Sequence, residues 1–239
     1  MIYGLDLSAS KSGVAILGAG ISTLSISPKK GTQRRVKLNT IRTKFDELFA
    51  KNGEPSLIVV EEPVQSKYQQ AVFQIQTAHG VVISAIGAAG FNCPTLYVHA
   101  MTLKNLVTGN GKAEKKQMQE AIEKVTGEWF NQDEADAVAL ALVGRAVGDF
   151  DVGCWKCYGA GYKNEIECSA CDGSGLGKPD EVNLREIIND KLRDLIYNEF
   201  GLSTEGVKEA KRLTTNAKAK ERRAKAKVLK MTRTKEVIQ

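Results

Sequence analysis

The first half of the chain alternates short apolar runs with longer stretches of helical spacing. Ile2–Leu7 and Gly13–Leu17 are runs of strand length separated by the polar turn Ser8-Ala9-Ser10-Lys11-Ser12, and Thr23–Ser27 reads as a third strand. Over residues 31–52 the apolar positions Val36, Leu38, Ile41, Phe45 and Leu48 recur at helical spacing and close at Asn52-Gly53, which predicts a helix. Leu57–Val60 is a continuous apolar run ending against Glu61 and Glu62, the pattern of a central strand buried on both faces. A helix follows from about Ser66 to Ala89, then a strand at Thr95–Val98 and helices near 114–126 and 133–147. Three hairpin-like strands followed by alternating helix and strand predict an α/β layer fold with a mixed sheet.

After Gly148 the pattern breaks. Residues 153–177 are rich in glycine and hold four of the five cysteines, and aliphatic side chains almost vanish. Helical spacing resumes over 181–200 through Val182, Leu184, Ile187, Ile188, Leu192, Leu195 and Ile196. Beyond Gly206 the chain is largely Lys, Arg, Ala and Thr. These shifts divide the sequence into a folded domain over 1–148, a cysteine module over 149–178, a helix over 179–206 and a basic tail over 207–239.

Charge sharpens that division. The net charge is +6, yet residues 207–239 carry twelve Lys and Arg against three Glu, a balance of +9, which leaves the rest at −3. A mildly acidic body with a strongly basic tail suits an enzyme acting on nucleic acid; a solubilising tail is the alternative. No apolar run reaches the roughly 18–20 residues of a membrane span, and no basic-then-apolar leader opens the chain. A cytoplasmic protein is expected, in which cysteines serve as metal ligands or free thiols rather than disulfides.

Four acidic positions stand out by placement. Asp6 ends the first strand and Glu61 ends the buried run, with Glu62 beside it. Asp133 and Asp136, three apart at the start of a helix, share one face. A carboxylate ending a central strand is costly to bury unless it is paired or binds a cation. Three such elements converging would make a hard oxygen site of the kind Mg²⁺ or Mn²⁺ prefers. Individually, Asp133 could serve only the helix N-terminus, and Glu62 could be solvated.

Gly4-Leu5-Asp6-Leu7-Ser8 followed by Gly13-Val14-Ala15 resembles the opening hairpin of the phage-type, RuvC-like Holliday junction resolvases of the RNase H superfamily. Val59-Val60-Glu61-Glu62 resembles their second acidic strand. Thr108-Gly109-Asn110-Gly111 with Ala113-Glu114-Lys115-Lys116-Gln117 resembles their basic loop and helix start, and Asp133-Glu134-Ala135-Asp136 their closing acidic helix. The resemblance covers roughly residues 1–147. It implies an RNase H-like, five-stranded mixed sheet flanked by helices. It also implies a catalytic tetrad of Asp6, Glu61, Asp133 and Asp136 holding two Mg²⁺ or Mn²⁺ ions, with Glu62 as the alternative to Glu61. Lys115 would stabilise transition-state charge, and Lys104, Lys112 and Lys116 would contact DNA. The implied enzyme is a homodimer that cuts branched DNA such as four-way junctions, in a bacterial or phage-infected cytoplasm. Val64 stands where some members place an aromatic that stacks at the junction centre, so that role does not carry over.

Cys154-x-x-Cys157 and Cys168-x-x-Cys171 read as one structural tetrathiolate zinc site. Each pair continues as Cys-x-x-Cys-x-Gly-x-Gly, which resembles the knuckles of the DnaJ-type cysteine-rich domain, although that family carries four repeats and two zincs. With no apolar core in the segment, zinc would supply most of its folding energy. Trp155, Lys156, Tyr158, Tyr162 and Lys163 would offer DNA an aromatic and basic surface; a brace between neighbouring elements is the alternative. In the tail, Arg222, Arg223 and Lys225 are candidate phosphate contacts. Cys93, His79 and His99 read as core residues. Two rival functions remain on sequence alone: an actin-like ATPase, which shares the Asp-x-Ser opening, and a non-catalytic zinc-containing DNA-binding module.

Overall fold

Strand β1 (Ile2–Asp6) forms an antiparallel hairpin with β2 (Ser12–Leu17), and β2 pairs in turn with β3 (Ile21–Ile26). On its other side β1 runs parallel to β4 (Leu57–Glu61), and β4 runs parallel to β5 (Thr95–Val98). These five make the expected mixed sheet in the order β3-β2-β1-β4-β5. The computed structural model describes residues 1–63, 69–148, 162–163, 166–167, 181–184, 188 and 190–215. None of the described helices is long and apolar enough to cross a membrane.

Side-chain parity sends alternate residues to opposite faces. Tyr3 and Leu5 of β1 and Ile58 and Val60 of β4 face a core shared with α1 (Arg34–Asn52) and α2 (Gln69–Ala88). There Ile41, Phe45, Phe49, Ala78 and Val82 close over the sheet. The rings of Tyr3 and Phe49 stack with centroids 6.0 Å apart, and the Tyr3 hydroxyl donates to the Gly53 carbonyl at 3.0 Å. His79 of α2 is buried, and that burial depresses its pKa to about 4, so the imidazole is neutral in the core as expected. Cys93 is a half-buried free thiol against the same core.

The opposite face receives α5 (Gln132–Gly148), the helix built from Asp133-Glu134-Ala135-Asp136 onward. Ala135, Ala137, Val138, Ala139, Leu140 and Val143 are essentially inaccessible. Beyond its acidic first turn only Arg145 is exposed among the described residues, so the helix lacks a polar face; its other sides pack against α4 (Lys115–Thr126) and α6 (Asp190–Glu199). Glycines let it lie flat. A Cβ on Gly4 would stand 2.0 Å from the Ala137 carbonyl oxygen, one on Gly13 2.0 Å from that of Asp133, and one on Gly144 2.5 Å from Val59 Cγ2. Backbone therefore meets backbone over the first half of the helix, and Gly144 admits the side chains of Val59, Ile2 and Leu57 near its end.

Four elements depart from the sequence-based expectation. Helix α3 (Ala100–Thr108) follows β5 after the single residue His99, in a stretch too short to show a period. His99 is not a core residue: it caps α3, its Nδ1 accepting the Met101 amide at 3.2 Å. In the cysteine-bearing segment, β6 (Tyr162–Lys163) and β7 (Ile166–Glu167) form an antiparallel pair. The helical reading over 181–200 is corrected at its start. Glu181–Asn183 forms β8, a sixth strand parallel to β5; Leu184 is helical, the Ile188 amide donates to its carbonyl at 2.9 Å, and α6 spans Asp190–Glu199. An open sheet edge outcompetes a local helical preference, because strand propensity is set mainly by the neighbours available.

Residues 1–201 form one compact unit and 202–239 a second. In the second, residues 204–215 are helical, so a helix crosses the expected start of the basic tail at 207. Ser203 Oγ accepts the Gly206 amide at 3.1 Å at the entry to this helix, and Arg212 pairs with Glu209 at 2.7 Å. Arg222, Arg223 and Lys225 lie outside the described residues, as do Cys154, Cys157, Cys168 and Cys171 and the side chains of Tyr162 and Lys163.

Candidate active site

The register of the two central strands begins the site. β1 and β4 pair through Leu5↔Val60, so Asp6 and Glu61 are the next residue on each parallel strand. Neighbouring strands lie about 4.8 Å apart. Asp6 has the parity of Gly4 and Glu61 that of Val59, and both of those positions face α5. Glu62 has the opposite parity. Its amide donates to the Val98 carbonyl at 2.9 Å, and its Oε2 is buried with no hydrogen-bond partner among the described residues.

Helix α5 brings the other two carboxylates to the same strand ends. Gly13 pairs with Asp6 across the hairpin and lies beneath the Asp133 carbonyl, which sets the first turn of α5 over Asp6. The helix entry is fixed by a reciprocal cap. Asn131 Oδ1 accepts the Glu134 amide at 3.2 Å, and Glu134 Oε2 accepts the Asn131 amide at 3.3 Å. Glu134 Oε1 also accepts from Ser25 Oγ at 3.0 Å. The third acidic residue of the segment is thereby a cap and a tie to β3, while Asp133 and Asp136 turn toward the strand ends.

The electrostatics are those of crowded negative charge. Burial, then Glu61, Asp136 and Asp133, push Asp6 up to about 8 against the pull of Lys115. Burial and Asp136 raise Glu61 to about 7, opposed by Lys104 and Lys115. Burial raises Asp136 to about 6, although Lys115 and Lys104 hold it down and Asp133 adds to the rise. Like charges held together in low dielectric keep protons that free carboxylates release near pH 4. Among the described residues, no three His, Cys, Asp or Glu side chains are drawn into a finished ion-binding set. The donor set is all carboxylate oxygen, in deficit of positive charge, and it fits a hard divalent ion.

The lysines come from two helices packed against α5. Lys104 projects from α3, and Lys115 is the first residue of α4 after the cap Glu114, whose amide donates to Gln117 Oε1 at 2.8 Å. Lys115 and Lys116 occupy a helix N-terminus, where the macrodipole disfavours positive charge and acidic residues are the norm. The carboxylates facing Lys115 give it a compensating partner. Lys112 is exposed in the preceding loop, its amide held by Asn110 Oδ1 at 3.0 Å, and Lys116 is exposed beside Glu120. Sequence reasoning missed one cation. Lys11, in the β1–β2 turn, places Nζ 2.5 Å from Asp133 Oδ2. Its only signal in the sequence is a lysine five residues after the first acidic strand end.

Residues 2–144 match the family described as Crossover junction endodeoxyribonuclease RuvC. Proteins of that name from Brachyspira hyodysenteriae and Carboxydothermus hydrogenoformans are both 30% identical, over 146 and 153 residues. The aligned regions cover 58% and 60% of this chain and 89% and 94% of those proteins. The fold is also that of T. thermophilus RuvC in complex with Holliday junction substrate, with a TM-score of 0.50 at 21% identity over 59% of this chain and 89% of the other. The matched region runs from β1 into α5 and contains the hairpin, the second acidic strand and the acidic helix, so the chain belongs to the RuvC family of crossover junction endodeoxyribonucleases.

Proposed function

We propose that this chain cuts four-way DNA junctions with a divalent-metal site formed by Asp6, Glu61, Asp133 and Asp136. The observation that carries the reading is the convergence of carboxylates from β1, β4 and α5, three of them raised by burial and by one another. Glu61 rather than Glu62 fits the set, because its parity matches that of Val59, which faces α5. Mg²⁺ or Mn²⁺, two per site, suits four hard carboxylates and, when bound, supplies an activated water and stabilises the leaving 3′-oxygen. Lys115, facing Asp6, Glu61 and Asp136, stabilises the charge that grows on the phosphate. Lys104 holds a flanking phosphate, and Lys112 and Lys116 extend that contact along the strand.

The remaining parts of the chain serve binding and assembly. A resolvase makes two symmetric nicks and so works as a homodimer. The exposed Phe73 and Ile83 of α2 suit the interface. Cys154, Cys157, Cys168 and Cys171 hold one structural zinc. In support, β6 and β7 pair Tyr162 with Glu167, so the chain between the two cysteine pairs doubles back on itself. The module, together with Arg222, Arg223 and Lys225 of the tail, contacts DNA in the cytoplasm. The actin-like alternative loses its basis, since the matched family spans the acidic helix that it leaves unexplained.

The test sets wild type against Asp136→Asn on synthetic four-way junctions, flaps and plain duplex in Mg²⁺. Wild type is expected to cut junctions preferentially, and the variant to bind them without cutting. A variant that cleaves at near the wild-type rate, or a wild type indifferent to branching, overturns the proposal.

A further inference from the structure

We propose that Lys11 is an internal cation occupying part of the divalent-ion site, which a metal ion must displace from Asp133; this rests on the reading of the four carboxylates as a metal site. The pair is built rather than incidental. Ser8 Oγ accepts the Lys11 amide at 3.0 Å and donates to the Lys11 carbonyl at 2.6 Å. Ser12 Oγ donates to the Ser8 carbonyl at 2.8 Å and accepts the Ser8 amide at 3.1 Å. The backbone of Lys11 is thus fixed on both sides. The other member is equally fixed, because α5 is seated on Gly13 at Asp133 itself.

The two side chains differ in a way that sets the direction of exchange. Asp133 is 17% exposed and Lys11 42%. The lysine can swing into solvent at little cost, whereas the carboxylate cannot leave. Lys104 and Lys115 act on Glu61 and Asp136 from α3 and α4. Lys11 comes from the β1–β2 turn and takes Asp133. Asp133 thereby has its own ion-pair partner, separate from the lysines that act on Glu61 and Asp136. A divalent ion held by Asp133 and Asp6 would compete with the Lys11 ammonium for the Asp133 carboxylate. Removing the ammonium while keeping the stem frees that carboxylate and removes a like charge from beside the incoming ion.

The test is Mn²⁺ binding to the full-length, DNA-free protein, followed by loss of the free-ion paramagnetic resonance signal. Lys11→Met is expected to bind Mn²⁺ about 3–10-fold more tightly than wild type, since a half-exposed ion pair and one like-charge contact are lost. Lys11→Arg should behave as wild type. In an Asp133→Asn background, Lys11→Met should give a smaller gain, because only the like-charge contact is left to remove. The Mg²⁺ concentration giving half-maximal cleavage should fall in step. If Lys11→Met binds Mn²⁺ with wild-type or weaker affinity, Lys11 is a support for Asp133 and the inference is wrong. If wild type shows no Mn²⁺ binding that Asp6→Asn removes, the metal-site reading itself fails, and this inference with it.

Discussion

Crowding the carboxylates has a price in stability, and removing one should recover it. Asp6 titrates at about 8 in the folded protein against the ordinary 3.8. At pH 7 the folded protein therefore holds a proton that the unfolded chain has released. Raising the pH from about 4 to about 8 then favours unfolding, the direction opposite to that of a salt-bridged aspartate. Some three pH units separate the ordinary value from neutrality, and each is worth about 1.4 kcal/mol, so the ceiling is about 4 kcal/mol. An asparagine buries a similar polar group with nothing to ionise. Asp6→Asn should then stabilise the protein, in the absence of added divalent ion, by about 2–4 kcal/mol at pH 7. For a unit of this size that is roughly 5–10 °C in Tm. The assay is thermal unfolding of both proteins at pH 4.5, 6, 7 and 8, with and without Mg²⁺. The gain should grow with pH and shrink when Mg²⁺ stabilises the wild type alone. A variant less stable than wild type at pH 8, or a gain equal at every pH, would refute the reasoning.

Gly4→Ala should be among the most damaging single changes, costing about 3 kcal/mol or more by forcing α5 off β1, and urea unfolding measures it. Elemental analysis of protein purified without chelator should find one zinc per chain, and replacing Cys154 and Cys168 with serine should abolish it while leaving the Tm of the nuclease unit nearly unchanged. Deleting residues 207–239 should weaken binding to junction and duplex alike. Losing even five phosphate contacts flattens the slope of log affinity against log salt by roughly 4–5, as titrations at several salt concentrations will show.

Much of this architecture is legible in the residues because its signals are local. β4 shows as Leu57-Ile58-Val59-Val60 closed by a glutamate, since a strand covered on both faces tolerates nothing polar until it ends. The acidic helix shows for the same reason, its alanines marking a surface where backbones touch. Helix α3 and strand β8 do not show. The first is shorter than the window in which a period emerges, and the second exists only because β5 leaves an edge to pair with. The distinction between Glu61 and Glu62 is a matter of parity and register, which no isolated run of sequence contains. The Lys11–Asp133 pair joins positions far apart in the chain and becomes visible only once Gly13 seats α5 on the hairpin.

Strand β8 also says how the cysteine segment is attached. The chain leaves α5 at Gly148 and rejoins the sheet at Glu181, where β8 pairs with β5, Leu184 is fully buried and Arg145 of α5 pairs with Glu199 of α6. Residues 149–180 are therefore spliced into the domain rather than hung from its end. Closing such a detour is cheap, because each doubling of its length adds only about 0.6 kcal/mol of chain entropy. A lineage could lengthen, shorten or exchange that passage without disturbing the register that aligns Asp6 with Glu61. The length of that passage is unconstrained by the sheet, while the hairpin and α5, locked glycine against backbone, admit no such change.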